Sequence, residues 1–145
     1  MRQKKLRIAT IMLLLAMIFG LFLTAYAATP ETYETQASLY YASTEVTCIA
    51  TGNGKVTVEV DINATHTMTK LGPLKIEIWE KQSDGSYQLV KTYSGGMLTS
   101  NSMFAFATKT YQGTAGTKYY AIAKLYAKDD NGSQTMYQSS STITA

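Results

Sequence analysis

Short segments in which every second residue is apolar follow one another from Leu39 to the end of the chain, separated by Gly, Asn and Asp. The clearest is segment 55–63 (KVTVEVDIN), where Val and Ile alternate with Lys, Thr, Glu, Asp and Asn. A period of two is typical of a strand with one buried and one exposed face. No segment after the first 27 residues has the spacing of an amphipathic helix.

The same alternation divides the chain into about seven short strands with a turn every 8–12 residues, the layout of an antiparallel two-sheet β-sandwich. The predicted strands are 45–50, 55–63, 74–79, 87–93, 103–111, 119–128 and 133–143. Turn-forming residues stand at 52–54 (GNG), 83–86 (SDGS) and 131–132 (NG). We therefore predict one all-β domain over residues 37–145.

The first 27 residues have the three parts of a secretory signal peptide. A basic start (residues 2–7) leads into an apolar run (8–23), and the segment ends in Ala25-Tyr26-Ala27. We expect cleavage before Ala28, release of the chain outside the cell, and a flexible leader over 28–36, which is polar and contains Pro30. The alternative is an uncleaved N-terminal helix that anchors the chain in the membrane, because the apolar run approaches the length of a span.

Removal of the signal changes the charge of the chain. Four of the 13 basic residues lie in it, which leaves nine Lys and no Arg against ten acidic residues. No basic patch suited to nucleic acid remains. The absence of Arg also removes the usual bidentate clamp for phosphate or carboxylate ligands.

One segment near the C-terminus resembles a known family. Residues 116–125 (GTKYYAIAKL) are similar to the G-T-x-Y-x-V-x-V-x-A signature of fibronectin type III domains, which are immunoglobulin-like β-sandwiches. The resemblance implies that Tyr119 forms a tyrosine corner, its hydroxyl bonding the backbone of the preceding connection. It also implies that Ala121, Ala123 and Leu125 face inward. It covers about the last third of the chain. The whole layout resembles small secreted proteins of Gram-positive bacteria.

Few residues could carry chemistry. His66 is the only histidine, and nothing in the sequence brings it beside a nucleophile and an orienting group, so we interpret it as a surface or strand-end residue. One His and one Cys also exclude the usual zinc sites. Segment 129–133 (DDNGS) is interpreted as a hairpin turn, with a weak calcium site as the alternative. Cys48 alternates with Val46 and Ala50, which predicts a buried thiol; an intermolecular bridge is the alternative.

Aromatic residues are the strongest candidates for a ligand-binding surface. With a two-residue turn at 131–132, Tyr126 should lie directly across from Tyr137, on a face that also carries Tyr120. Trp79 is a further candidate on the strand that contains Glu77. Tyrosine supplies rigid area with a polar tip, which suits sugar stacking or a protein partner. The alternative is that outer strand positions favour Tyr for propensity alone.

These features predict a non-enzymatic, secreted binding or interaction module without a cofactor. Its expected partner is a protein or glycan at the cell surface. A carbohydrate-binding module that uses the tyrosines is the alternative function. A secreted hydrolase is a third reading, which the lack of a His, Cys and carboxylate cluster in the sequence disfavours.

Overall fold

The computed structural model describes residues 38–145; the predicted signal (1–27) and leader (28–36) lie outside this range. Eight strands and no helix are found within it. They are β1 (Tyr41–Ala50), β2 (Lys55–Met68), β3 (Lys70–Lys81), β4 (Tyr87–Ser94), β5 (Ser102–Gln112), β6 (Lys118–Lys128), β7 (Ser133–Ser139) and β8 (Ile143–Thr144). The last predicted strand is interrupted after Ser139, which gives the eighth, two-residue strand.

The strands form two antiparallel sheets, as the sequence predicted. One has three strands in the order β1-β2-β5, and the other has the order β4-β3-β6-β7, with β8 pairing the start of β6. Their apolar faces share one hydrophobic cluster, so the domain is a β-sandwich-like all-β fold. Among residues 38–145, no helix is long and apolar enough to cross a membrane.

The core follows the predicted alternation. In β2, Val56, Val58 and Val60 are fully buried, while the residues between them are half-buried. In the other sheet, Ile76 and Ile78 of β3 are fully buried and face the same core. Burying one such side chain contributes about 1.5–3 kcal/mol, so the core residues of β2 and β3 hold the sheets together.

The turn between β1 and β2 has the backbone that its sequence predicts. Gly52, Asn53 and Gly54 all have positive φ, at 92°, 52° and 77°. A Cβ at Gly54 would also lie 2.5 Å from the carbonyl oxygen of Gly113. Glycine at this position is therefore required both for conformation and for close approach of the β5–β6 connection.

Two local expectations are corrected. The polar residues around His66 do not lie between strands, because β2 continues through them to Met68, which is fully buried. Ala50 does not share the burial of Val46 and Cys48, since it is exposed at the end of β1. Cys48 itself is a buried free thiol, as predicted.

Candidate functional site

The four predicted binding residues all lie on the outer face of the five-stranded sheet. In β6, Tyr120 and Tyr126 alternate with buried alanines and so point away from the core. In β3, Trp79 points outward because Ile78 before it is buried. Tyr137, on β7, is directly opposite Lys124, another outward residue of β6. We call this surface the tyrosine face.

Three aromatic rings form a cluster at one end of the tyrosine face. Trp79 and Tyr120 are cross-strand partners whose rings are stacked, with centroids 6.2 Å apart and planes inclined by 12°. Tyr87 of β4 meets Tyr120 edge-on at 4.8 Å. Burial, and secondarily Tyr87, raises the pKa of the Tyr120 hydroxyl. Such pairs contribute about 0.5–1.5 kcal/mol beyond the area they bury, so the cluster stiffens the surface.

The sequence did not predict that Tyr87 belongs to the tyrosine face, because its neighbours depend on how β4 pairs with β3. It is the first residue of β4, where it pairs with Lys81, and β4 contains a register shift opposite Ile78 and Trp79. Its position directly after the Ser83–Ser86 turn was the available signal. The indole Nε1 of Trp79 is buried without a hydrogen-bond partner among the described residues.

The predicted pairing of Tyr126 with Tyr137 is wrong. Tyr126 is opposite Thr135, because the turn between β6 and β7 is centred on residues 130–131, one residue earlier than predicted: the backbone N–H of Asp129 donates to the Gly132 carbonyl at 3.0 Å. The side chain of Asp129 supports this turn, since its Oδ1 accepts the N–H groups of Asn131 and Gly132 at 2.8 and 2.9 Å. Aspartate favours turns because its side chain can bond the backbone two residues further on.

Lysines surround the aromatic residues of the tyrosine face. Lys70 lies directly opposite Lys128, and Lys75 directly opposite Lys124, in the pairing of β3 with β6. Among the lysines in the described range, only Lys75 has an ion pair: its Nζ lies 2.6 Å from Oε1 of Glu77. That hydrogen bond raises the pKa of Lys75.

Lys124 and Lys70 have neutral partners instead. The Lys124 ammonium lies 5.6 Å from the ring centroid of Tyr137, within cation–π range. Lys70 donates to Ser100 at 2.7 Å. Like charges directly opposite on neighbouring strands are destabilising, so the lysine pairs are a feature that stability alone does not explain.

The outer face of the three-stranded sheet has the opposite charge and was not recognised in the sequence. Glu45 of β1 lies directly opposite Asp61 of β2, and Asp61 is opposite Phe106 of β5 on its other side. Phe104 and Phe106 are the largest exposed apolar side chains on this surface, at 65% and 58% exposure. We call the surface formed by Glu45, Asp61, Phe104 and Phe106 the acidic face.

His66 belongs to a chain of hydrogen bonds at one end of the domain. Its Nε2 lies 2.9 Å from Oδ2 of Asp129, and its Nδ1 lies 3.0 Å from the Thr65 hydroxyl. The Thr65 hydroxyl is also 2.7 Å from the Leu39 carbonyl, to which it donates. His66 is exposed, as the surface interpretation predicted, but it lies inside β2, and its link to Asp129 was not predicted.

The order hydroxyl, imidazole, carboxylate is that of a hydrolytic triad. The hydroxyl of Thr65, however, donates its hydrogen to the backbone carbonyl of Leu39 rather than to the imidazole. Both oxygens of Asp129 are engaged, one by its own loop and one by His66. The arrangement ties the start of the described chain and the β6–β7 loop to β2.

Tyr119 has the contacts that the tyrosine-corner resemblance implied. Its ring is fully buried, its hydroxyl accepts the backbone N–H of Thr114 at 2.8 Å, and it donates to Oε1 of Glu80 at 3.1 Å. Glu80 therefore points inward, whereas Glu77 lies with Lys75 on the tyrosine face. The two glutamates therefore point to opposite faces of the sheet.

Comparison with known proteins adds no family. No protein-family model matches the chain, and a search of curated proteins finds no match. Within residues 38–145, no group of three or more His, Cys, Asp or Glu side chains could hold a metal ion. The tyrosine face and the acidic face are therefore interpreted from their own chemistry.

Proposed function

We propose that this protein is an exported, non-enzymatic binding module whose ligand surface is the tyrosine face. The observation that carries the proposal is that lysines stand directly opposite lysines at two positions in the pairing of β3 with β6. Lys70 faces Lys128 and Lys75 faces Lys124, with one glutamate among them. Charges held in a repulsive arrangement lower the stability of the free protein. An anionic partner would relieve that repulsion.

The aromatic residues define the chemistry of the partner further. Tyr137 is 38% exposed and lies beside Lys124, so a ligand that approaches the ammonium also meets an aromatic ring. Tyrosine is enriched at protein interfaces because it combines apolar area with a hydroxyl. The favoured partner is an acidic protein surface with exposed apolar side chains.

A carbohydrate ligand is the second candidate. The near-parallel arrangement of Trp79 and Tyr120 supports it, because planar aromatic surfaces stack on sugar rings. Both rings are only partly exposed, since they cover each other and Tyr87 covers Tyr120. A neutral sugar would also leave the lysine pairs without a counter-charge, which favours the first candidate.

The fibronectin type III resemblance supports a binding rather than a catalytic role. Strands β1, β2 and β5 form one sheet and β3, β6 and β7 the other, the division between strands A, B, E and C, F, G of immunoglobulin-type sandwiches. Tyr119 supplies the corner contact at the start of β6. We assign the domain to this type of sandwich as part of the proposal; a fold of this type hosts many functions, so the site must carry the function.

Binding of the purified protein to immobilised polyglutamate and to an array of neutral glycans tests the proposal. We expect binding to polyglutamate that weakens as salt rises, because exposed charges are screened over about 10 Å at 0.1 M ionic strength. The double substitution Lys124→Gln/Lys128→Gln should weaken it by about tenfold, equivalent to about 1.4 kcal/mol.

Lys91→Gln is the matched control, because Lys91 lies on β4 opposite the inward-facing Ile78 and outside the tyrosine face. It should bind like the wild type. Binding to neutral glycans that is lost in Tyr137→Ala and unchanged in the lysine variant would select the carbohydrate candidate. Absence of binding to both probes would overturn the proposal.

A further inference from the structure

We infer that the partner of the tyrosine face is the acidic face of a second copy of this chain. The inference rests on the proposed function, since it identifies the partner of the same surface. It assigns to the protein a face-to-back self-association, in which the five-stranded sheet of one copy lies on the three-stranded sheet of the next.

The acidic face carries carboxylates that could pair with the lysines of the tyrosine face. Glu45 and Asp61 are cross-strand partners, and Glu59 lies two residues from Asp61 on the same face of β2. Within the described part of the chain, none of these carboxylates has an ion pair. The surface therefore repeats, with opposite sign, the like-charge cross-strand pairing of the lysines, of which only Lys75 has a carboxylate partner in the described range.

The apolar residues on the two surfaces also match. Phe104 and Phe106 are exposed on β5, directly opposite Asn63 and Asp61. On the other sheet, tyrosines stand directly beside lysines, as Tyr137 does beside Lys124. When one face covers the other, ammonium groups can reach both carboxylates and phenyl rings, and aromatic rings can pack together. Neither face offers this combination to a copy of itself.

The geometry of the fold sets the kind of assembly. The two faces lie on the outer sides of two sheets that share one core, so they point in opposite directions. A contact between different surfaces of identical chains is heterologous, and it continues as an open chain unless a rotation closes it into a ring. The expected assembly is therefore a concentration-dependent series of oligomers rather than a closed dimer.

Sedimentation velocity of the purified protein at about 20 mM and about 0.5 M salt tests the inference, because attraction between exposed charges is screened across this range. We expect oligomers that grow with protein concentration at low salt and dissociate at high salt. Asp61→Lys should block the acidic face and Lys124→Glu the tyrosine face, so that each variant alone sediments as a monomer. An equimolar mixture of the two variants should associate again, because each retains the surface that the other lacks.

Two control substitutions carry the same charge changes away from both faces. Asp130→Lys lies in the exposed β6–β7 loop and Lys91→Glu on β4, and both should associate like the wild type. Far-ultraviolet circular dichroism verifies that each variant is folded. A wild type that is monomeric at low salt, or variants that fail to associate when mixed, would overturn the inference. If that monomer still binds polyglutamate through Lys124 and Lys128, the inference fails and the proposed function stands.

Discussion

At the scale of single residues, Tyr119 joins three parts of the fold through one hydroxyl. It bonds Thr114 in the β5–β6 connection and Glu80 at the end of β3. Loss of a buried hydroxyl leaves its partners unpaired, which costs about 1–3 kcal/mol. We therefore expect Tyr119→Phe to lower the melting temperature by several degrees, measured by thermal denaturation.

Tyr126→Phe is the matched control for Tyr119→Phe. Tyr126 lies on the same strand but on the tyrosine face, and its hydroxyl has no hydrogen-bond partner in the described range. The substitution should change the free energy of unfolding by less than about 0.5 kcal/mol, so the melting temperature should hardly move. Equal, small effects of both substitutions would contradict the structural role of Tyr119.

Cys48 gives a second prediction at this scale. The Cys48 side chain lies in the hydrophobic core, and burial raises the pKa of its thiol to about 11. Because the thiolate is the reactive form, both protection and a raised pKa slow its chemistry at neutral pH. A thiol reagent should label the native protein slowly and the urea-unfolded protein at once. Rapid native labelling, or a dimer on a non-reducing gel, would show that the thiol is accessible.

At the scale of strands, the alternation of apolar and polar residues predicts which face of the sheet a side chain lies on, but not which residue lies opposite it on the next strand. The spacing of Ile76, Ile78 and Trp79 was sufficient to place two residues inside and one outside, because side chains alternate strictly along a strand. Which residues meet across strands depends on bulges and loop lengths. The shift between Pro73 and Lys75 brings Lys75 opposite Lys124, and no local pattern marks it.

The β6–β7 hairpin shows the same limit. Asn131-Gly132 correctly predicted a turn but not its position, because Asp129 pairs with Gly132 through its backbone N–H and its side chain and so centres the turn one residue earlier. Asp129 is in turn held by His66, which lies 63 residues earlier in the chain. The tyrosine face could thus be predicted as a set of residues, while its lysine pairs and Tyr87 required the register.

The connection between β5 and β6 yields a prediction about close packing. A Cβ at Gly113 would lie 2.6 Å from the Tyr119 hydroxyl oxygen and 2.7 Å from its ring carbon Cζ. Tyr119 is fully buried and held by two hydrogen bonds, so it cannot move aside freely. Gly113→Ala should therefore destabilise the domain by about 1–3 kcal/mol, the usual cost of overpacking, in urea unfolding.

Thr114→Ala serves as the control for Gly113→Ala. Thr114 is exposed, and the hydrogen bond of 2.8 Å to the Tyr119 hydroxyl comes from its backbone N–H, which alanine retains. Its substitution should alter the free energy of unfolding by about 0.5 kcal/mol or less. A Gly113→Ala protein as stable as the wild type would mean that the corner relaxes without loss of the Tyr119 contacts.

At the scale of the whole molecule, the like-charge pairs on the two outer faces have opposite signs. Lysines are opposed to lysines on one outer face and a glutamate to an aspartate on the other, so each surface carries a repulsion that sequence changes could readily remove. A stability-optimised sandwich would instead mix the signs across each face. The segregation gives the domain two distinct sides, which is the property that a directional assembly requires.

Asp129 links the β6–β7 loop to β2 through His66, and because its carboxylate titrates, the stability of the domain depends on pH. The hydrogen bond from His66 lowers the pKa of Asp129 to about 2; burial opposes this shift, and the N–H groups of Asn131 and Gly132 add to it. The ordinary value is 3.8, so between about pH 4 and pH 2 the unfolded chain binds a proton that the folded chain does not. The stabilisation is therefore complete above pH 4 and lost as the pH falls through 2.

Urea unfolding between about pH 5 and pH 2 measures this contribution, because the slope of stability against pH reports the difference in bound protons. Asp129→Asn should be less stable than the wild type at pH 5 and should converge with it toward pH 2. Asp130→Asn is the control, since the Asp130 carboxylate is exposed and accepts no hydrogen bond within residues 38–145. Parallel curves for the wild type and Asp129→Asn would show that the contact with His66 does not contribute to folding.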